Sequence, residues 1–249
     1  MQVVVDSLLT HYEQTGKGKT ILFLHGWADS AKGMQPLWQA LAAQYQIVAL
    51  DLPGFGGTDA PPNVWGLPDY AQFVAHFLQK TRLAPYAVVA HSNGGAIALR
   101  AIAQQLLAPK KLVLMASAGI RGVNKSRLRA LRVIAKAGKV LAAPLPPRVQ
   151  RRLRAKLYHS AGSDMLVAPH LQETFKKVVA DDVRGDAAQV QVPTLLIYGQ
   201  QDTAAPPWFG EAFHQILPTS TLMVLTAAGH FVHQDETAKV ARAIQEFLQ

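Results

Sequence analysis

The sequence predicts an α/β fold, in which a mainly parallel sheet of about eight strands carries helices on both faces. Continuous apolar runs of strand length, such as Thr20–Leu24 and Gln46–Leu50, alternate along the chain with segments of helical periodicity. About half of the 249 residues are hydrophobic (49%), which is enough for a large two-sided core. A third observation is Ser92, which is followed by two glycines and lies between a strand and a helix.

The predicted elements alternate after an edge hairpin formed by Val3–Leu9 and Leu9–Gln14. Strands are predicted at Thr20–Leu24, Gln46–Leu50, Tyr86–Ala90, Lys111–Met115, Pro193–Gly199 and Thr221–Leu225. Helices are predicted over about Gly33–Gln44, Trp208–Leu217 and Gln234–Leu248. A further helix is predicted to have Asp69 as its N-cap and to end at about Thr81, and another is predicted to begin at Ala96.

One segment interrupts this alternation. Between Ile120 and Val190 the pattern is helical, with no apolar run comparable to the predicted strands. We therefore expect residues 1–119 and 191–249 to form an α/β core domain, and residues 120–190 to form an inserted helical cap.

Positive charge is concentrated in the cap. The net charge is +9, and 12 Lys or Arg with no acidic residue lie between Arg121 and Lys156, which leaves 13 basic and 16 acidic residues elsewhere. Leu128, Leu131 and Ile134 recur at helical spacing among these charges. The segment is interpreted as a cap helix whose basic side is exposed to solvent. Alternatively, this basic side binds an acidic carrier protein, an anionic substrate or an anionic membrane surface. Nucleic acid is not favoured, because almost no aromatic residues accompany the charges.

Composition limits the chemistry and the location of the chain. It has no cysteine, which excludes disulfides, thiolate nucleophiles and cysteine-ligated metals. No basic and apolar leader opens the sequence, and no apolar run reaches the length of a transmembrane segment. We expect a soluble cytoplasmic protein.

The stretch around Ser92 predicts a nucleophile elbow. There a serine occupies a strained turn between strand and helix, so that its hydroxyl projects from the sheet. The usual first glycine of such a motif is Ala90 here, which is also small. The alternative is an ordinary turn in which serine caps a helix.

A serine hydroxyl needs a base, and the base needs an orienting group. Asp202 follows the predicted strand that ends at Gly199, and His230 follows the one that ends at Leu225. Reactive groups of open parallel sheets gather beyond the carboxyl ends of the strands. The order Ser, Asp, His is that of an α/β-hydrolase triad.

Nearly the whole chain resembles the α/β-hydrolase superfamily, in its serine-nucleophile, esterase-like branch with a helical cap. The matching motifs are His25-Gly26-Trp27, Asp51-Leu52-Pro53-Gly54-Phe55-Gly56, His91-Ser92-Asn93-Gly94-Gly95, Tyr198-Gly199-Gln200-Gln201-Asp202 and Ala228-Gly229-His230. The resemblance implies that Ser92 is the nucleophile, His230 the general base and acid, and Asp202 the orienting carboxylate. It also implies an oxyanion hole made by the backbone N–H groups of Asn93 and Trp27.

An apolar substrate pocket is expected between cap and sheet. Its predicted walls are Trp27, Met165, Leu166, Trp208 and Phe231.

Other polar residues are given structural roles. His230-x-x-His233 has metal-ligand spacing, but two histidines without a third ligand are more often structural, so no metal site is predicted. His91, His25 and Asp51 are interpreted as packing and loop-holding residues. No cofactor is implied.

The leading hypothesis is a carboxylic-ester hydrolase that acts on a small-molecule ester through an acyl-enzyme. The same triad serves carbon–carbon bond hydrolysis of diketone-like substrates. The motifs at His25 and Asp51 also resemble those of esterases acting on carrier-bound acyl esters. A hydrolase-fold ligand receptor without turnover is the alternative from another class.

Overall fold

A computed structural model describes residues 1–121 and 168–249. Within these ranges the chain forms one sheet of eight strands, flanked by helices. The strands are β1 (Gln2–Val5), β2 (Leu8–Thr15), β3 (Thr20–Leu24), β4 (Gln46–Leu50), β5 (Ala87–His91), β6 (Lys111–Met115), β7 (Thr194–Gly199) and β8 (Ser220–Leu225).

The order of the strands across the sheet is β1-β2-β4-β3-β5-β6-β7-β8. β2 pairs antiparallel with β1 and β4, and every other pairing is parallel. In register, Leu24 lies beside Ala90, and His91 beside Met115. The carboxyl ends of β3, β5, β7 and β8 therefore meet at one edge of the sheet, as the α/β prediction requires.

The described helices are α1 (Gln35–Leu41), α2 (Leu67–Thr81), α3 (Asn93–Ala103), α4 (Gln172–Val179), α5 (Arg184–Ala187), α6 (Pro207–Ile216), α7 (Val232–Asp235) and α8 (Thr237–Leu248). None of these described helices combines the length and the apolar composition needed to cross a membrane.

Alternate residues of the central strands enter opposite cores. Leu22, Val88 and Leu114 belong to the core that α2, α3 and α6 cover. Their neighbours Phe23 and Val89 belong to the core that α1, α7 and α8 cover. The continuous apolar runs are explained by this burial on both faces, because side chains in a strand alternate between its two sides.

Two helix starts differ from the prediction. α2 begins at Leu67 with Gly66 as N-cap, and Asp69 occupies the third helical position, where its carboxylate accepts the Gly66 N–H at 2.6 Å. α3 begins at Asn93 rather than Ala96, so that Gly94 lies inside the helix. A Cβ at Gly94 would overlap the carbonyl oxygen of Leu24, and the glycine thus allows close helix–strand packing rather than a break.

The predicted C-terminal helix is divided. α7 and α8 are separated at Glu236, whose φ and ψ of −134° and 45° are not helical.

The predicted cap, residues 120–190, is described from residue 168 onward. A 3-10 turn at Pro169–Leu171 leads into α4 and α5. The basic segment and the predicted walls Met165 and Leu166 lie outside the described residues.

Candidate active site

Ser92 occupies the turn between β5 and α3 with a strained backbone. Its φ of 50° and ψ of −115° are unusual for a residue with a side chain, at a cost of about 1–3 kcal/mol. The Ser92 N–H donates to the carbonyl of Met115 at 3.0 Å, and the Ser92 carbonyl accepts from Ala118 at 3.1 Å. These bonds to the last residue of β6 and to the chain after it hold the strained turn in place.

His230 lies in the loop after β8 and bridges Ser92 to Asp202. Its Nδ1 is 2.7 Å from Asp202 Oδ2, and its Nε2 is 3.0 Å from Ser92 Oγ. Because a carboxylate only accepts hydrogen bonds, Nδ1 carries the proton and Nε2 of the neutral ring can accept from the serine hydroxyl. This arrangement can make an alcohol nucleophilic at neutral pH.

Asp202 is held by its own loop. Its Oδ1 accepts the backbone N–H groups of Ala204 and Ala205 at 2.8 and 2.9 Å, which leaves Oδ2 for His230. The residue is 4% exposed, so the carboxylate acts on the imidazole away from bulk water.

The predicted oxyanion donors flank Ser92. Asn93 is the first residue of α3, where a backbone N–H has no partner within the helix. Trp27 follows β3, the strand beside β5. Among the described residues, neither N–H donates to a protein oxygen.

A cavity of about 200 Å³ opens onto Ser92 and His230. Of the predicted pocket walls, Trp27 lines this cavity, whereas Trp208 and Phe231 are not among its lining residues and are 41% and 43% exposed. Further apolar lining comes from Ile120, Phe175, Val178 and Phe209.

Sequence reasoning missed Phe209, although a signal for it exists. Phe209 and Phe213 are spaced four apart and are buried on the same side of α6, whereas Trp208 lies about 100° away around the helix. Phe175 gives no comparable signal, because it belongs to the charged segment Gln172–Val179.

Asp51 and His25 brace the loops under the site. Asp51 Oδ1 accepts from the Ala31 N–H at 2.7 Å, and its Oδ2 accepts from the Gly57 N–H at 2.8 Å. His25 Nδ1 donates to the Gly26 carbonyl at 2.7 Å, and its Nε2 accepts the Leu52 N–H at 2.9 Å. Burial lowers the pKa of His25, which favours the neutral ring that both bonds require.

A second group of polar side chains lies behind His230. His91 Nε2 donates to the His230 carbonyl at 2.9 Å, so His91 supports the backbone at His230. Burial, followed by the neighbouring His233 and His230, lowers the pKa of His91 well below its usual value. Burial also lowers the pKa of His233 to about 4. Asp29, His91 and His233 bring their ligand atoms within 4.8 Å of one another. The spacing of His230 and His233 in the sequence does not reveal this group of three.

Comparisons with known proteins agree with this architecture. An uncharacterized hydrolase, YugF of Bacillus subtilis, is 26% identical over 98% of this chain and 95% of its own length. A pimeloyl-[acyl-carrier protein] methyl ester esterase of Neisseria meningitidis (strain MC58) is 26% identical over 93% of both chains. The solved structure of an esterase from Exiguobacterium antarcticum superposes with a TM-score of 0.77 at 22% identity, covering 99% of this chain and 98% of that one. The model of the alpha/beta hydrolase family matches residues 21–243, and the chain therefore belongs to this family.

Proposed function

We propose that the protein is a serine hydrolase that cleaves carboxylic esters through an acyl-enzyme intermediate. The observation that carries the proposal is the continuous chain of contacts from Asp202 Oδ2 to His230 Nδ1 and from His230 Nε2 to Ser92 Oγ, at 2.7 and 3.0 Å, beside a largely apolar cavity.

In the first half-reaction, Ser92 Oγ attacks the ester carbonyl carbon, and the proton of the Ser92 hydroxyl passes to His230 Nε2. The negative charge on the carbonyl oxygen is stabilised by the N–H groups of Asn93 and Trp27. His230 then gives the proton to the leaving alkoxide, which departs as an alcohol and leaves an acyl group on Ser92. Asp202 stabilises the imidazolium without taking up the proton.

In the second half-reaction, water replaces the alcohol. His230 Nε2 takes a proton from the water as its oxygen attacks the acyl carbon, and returns that proton to Ser92 Oγ when the carboxylic acid leaves. Phe175, Val178 and Phe209 would contact the apolar part of the substrate.

The test is turnover of a series of p-nitrophenyl esters by wild-type protein and by Ser92→Ala. We expect kcat to fall by about 10⁴-fold or more, because the hydroxyl, base and carboxylate act as a unit. Ser220→Ala is the matched control: Ser220 Oγ also lies 2.9 Å from a histidine, Nδ1 of His214, but this hydrogen bond is exposed and neither residue lines the cavity. Turnover that survives in Ser92→Ala would reject Ser92 as the nucleophile.

A second candidate is hydrolysis of acyl esters bound to an acidic carrier protein. The 12 basic residues between Arg121 and Lys156 favour it, and the Neisseria relative carries a name of this kind. If it is correct, kcat/KM for a carrier-bound methyl ester should fall steeply as salt is raised, while kcat/KM for the free ester changes little. Equal salt dependence for both substrates would contradict carrier recognition.

A further inference from the structure

Asp29, His91 and His233 form a polar cluster on the far side of the His230 backbone. His91 and His233 are 1% and 0% exposed. Four of the cluster's atoms are buried and without a hydrogen-bond partner: Asp29 Oδ2, His91 Nδ1, and both ring nitrogens of His233. Buried polar atoms in folded proteins are nearly always paired, so a group of orphans that face one another indicates an occupant.

The protonation of His91 can be derived from its partner. Its Nε2 lies 2.9 Å from the His230 carbonyl oxygen, which only accepts, so Nε2 carries the hydrogen. In the neutral ring, Nδ1 then presents a lone pair towards the cluster. A histidine that donates one ring N–H to a backbone carbonyl and presents the other nitrogen is typical of metal ligands.

The charge of the cluster favours a cation. None of the ion pairs among the described residues includes Asp29, so its carboxylate has no cationic side chain opposite it there. The Asp29 carboxylate also packs directly against Gly33, since a Cβ at that glycine would overlap it. One carboxylate oxygen with two imidazole nitrogens is a donor set that suits Zn²⁺ and related divalent transition metals.

We propose that Asp29, His91 and His233 bind a divalent transition-metal ion of the zinc class. The ligand atoms lie within 4.8 Å of one another, and a zinc ion bound among them would have ligand distances of about 2.0–2.2 Å. The His230 ring takes no part, because both its nitrogens contact Asp202 and Ser92.

The bound ion would join two parts of the active-site edge. Asp29 belongs to the loop that carries Trp27 after β3, and His91 holds the carbonyl of His230 after β8. The site is therefore structural, and its existence does not depend on the ester chemistry.

The test is zinc binding to the full chain after a chelator has removed bound metal. Titration calorimetry measures the stoichiometry and affinity, and thermal unfolding measures the change in Tm. We expect one Zn²⁺ per chain and a rise in Tm, because an ion that binds only the folded state stabilises it. His233→Gln and Asp29→Asn should each weaken zinc binding by about 100-fold or more. Mutation of a residue that only hydrogen-bonds to a metal ligand already lowers metal affinity by about 10–100-fold, and loss of a ligand itself should cost at least as much.

Two controls separate this site from the triad and from surface histidines. His230→Gln removes the triad imidazole but keeps the carbonyl that His91 contacts, and His214→Gln removes an exposed histidine; both should bind zinc as wild type does. Should a ligand variant fail to fold, wild-type crystals grown with zinc provide the second measurement, with an anomalous peak expected among the three side chains. A water molecule at that position in zinc-saturated crystals, no stoichiometric binding, or binding lost only in His230→Gln would overturn the proposal.

Discussion

At the scale of single residues, His25 shows how a buried imidazole holds the loops beneath the site. Its Nδ1–H bonds the carbonyl of Gly26, next to Trp27, and its Nε2 accepts from Leu52 after β4. The two bonds together require the neutral ring in one tautomer. Protonation of Nε2 would replace an acceptor by a donor opposite the Leu52 N–H.

This predicts a pH-dependent stability that belongs to His25. Its pKa is lowered in the folded state by burial, so the unfolded chain binds the proton first as the pH falls. The contribution of neutral His25 to the free energy of unfolding is present above the usual histidine pKa of about 6.5. It is lost as the pH decreases through that value towards the lowered pKa of the folded state. Urea unfolding between pH 8 and pH 5 should show a smaller loss of stability for His25→Leu than for wild type. The exposed His214→Gln should keep the wild-type slope, and equal slopes for His25→Leu and wild type would contradict the prediction.

At the scale of secondary structure, the strand β5, the Ser92 turn and the helix α3 act as one unit. The strained φ of Ser92 is tolerated because bonds to Met115 and Ala118 hold it and because α3 packs closely against β3. Gly94 is the contact point, with its Cα against the backbone of Leu24 and His25.

We expect Gly94→Ala to destabilise the protein by about 1–3 kcal/mol, because the new methyl group meets backbone that cannot rotate away. It should also lower kcat more than it raises KM, since α3 carries the N–H of Asn93. Gly185→Ala is the matched control: Gly185 lies in α5 with nothing within 4 Å of an added Cβ, and alanine there should stabilise by about 0.4–1 kcal/mol. Chemical denaturation and ester kinetics of both variants measure the difference. Equal changes in stability and kinetics for the two variants would show that close packing at Gly94 does not stabilise the turn and helix α3.

At the scale of the whole molecule, the described end of the predicted cap is tied to the core by Arg100. This residue of α3 donates from Nε to Asp186 at 2.9 Å and from Nη2 to Asp181 at 3.1 Å. Its side chain is only 13% exposed. Asp181 lies two residues after α4, which supplies Phe175 and Val178 to the cavity, and Asp186 lies in α5.

Arg100→Met should therefore cost about 2 kcal/mol of stability and raise KM for apolar esters, because two partly buried carboxylates lose their partner and α4 loses an anchor. kcat should change less, since the contacts among Ser92, His230 and Asp202 do not involve Arg100. Arg242→Met removes an exposed pair with Glu246 within α8 and should leave both stability and KM unchanged. A KM for Arg100→Met equal to that of wild type would show that the ion pairs do not position the cavity wall.

How far the sequence predicts this protein depends on whether a feature is local. The strands Thr20–Leu24, Gln46–Leu50 and Lys111–Met115 agree with the prediction at both ends, because an apolar run bounded by polar and glycine residues is a local signal. The choice of Ser92, Asp202 and His230 also followed from local position, since each lies just beyond a strand and parallel strands end at one edge. The prediction was wrong for the starts of two helices. At α2 the local signal of Asp69 predicts an N-cap, whereas the residue occupies the third helical position, and at α3 Gly94 predicts a break although it allows close packing against β3.

The amino-acid sequence by itself determined the α/β class, and it predicted the turn at Ser92 and the three side chains of the proposed triad. Tertiary structure decided which face each helix turns inward, so that Phe209 rather than Trp208 lines the cavity, and which distant loops converge. Asp29, His91 and His233 meet because β3 and β5 end side by side and the loop after β8 reaches back to His91, and no spacing along the chain encodes that proximity. Periodicity is a property of neighbours in the chain, whereas a binding site is a property of neighbours in space.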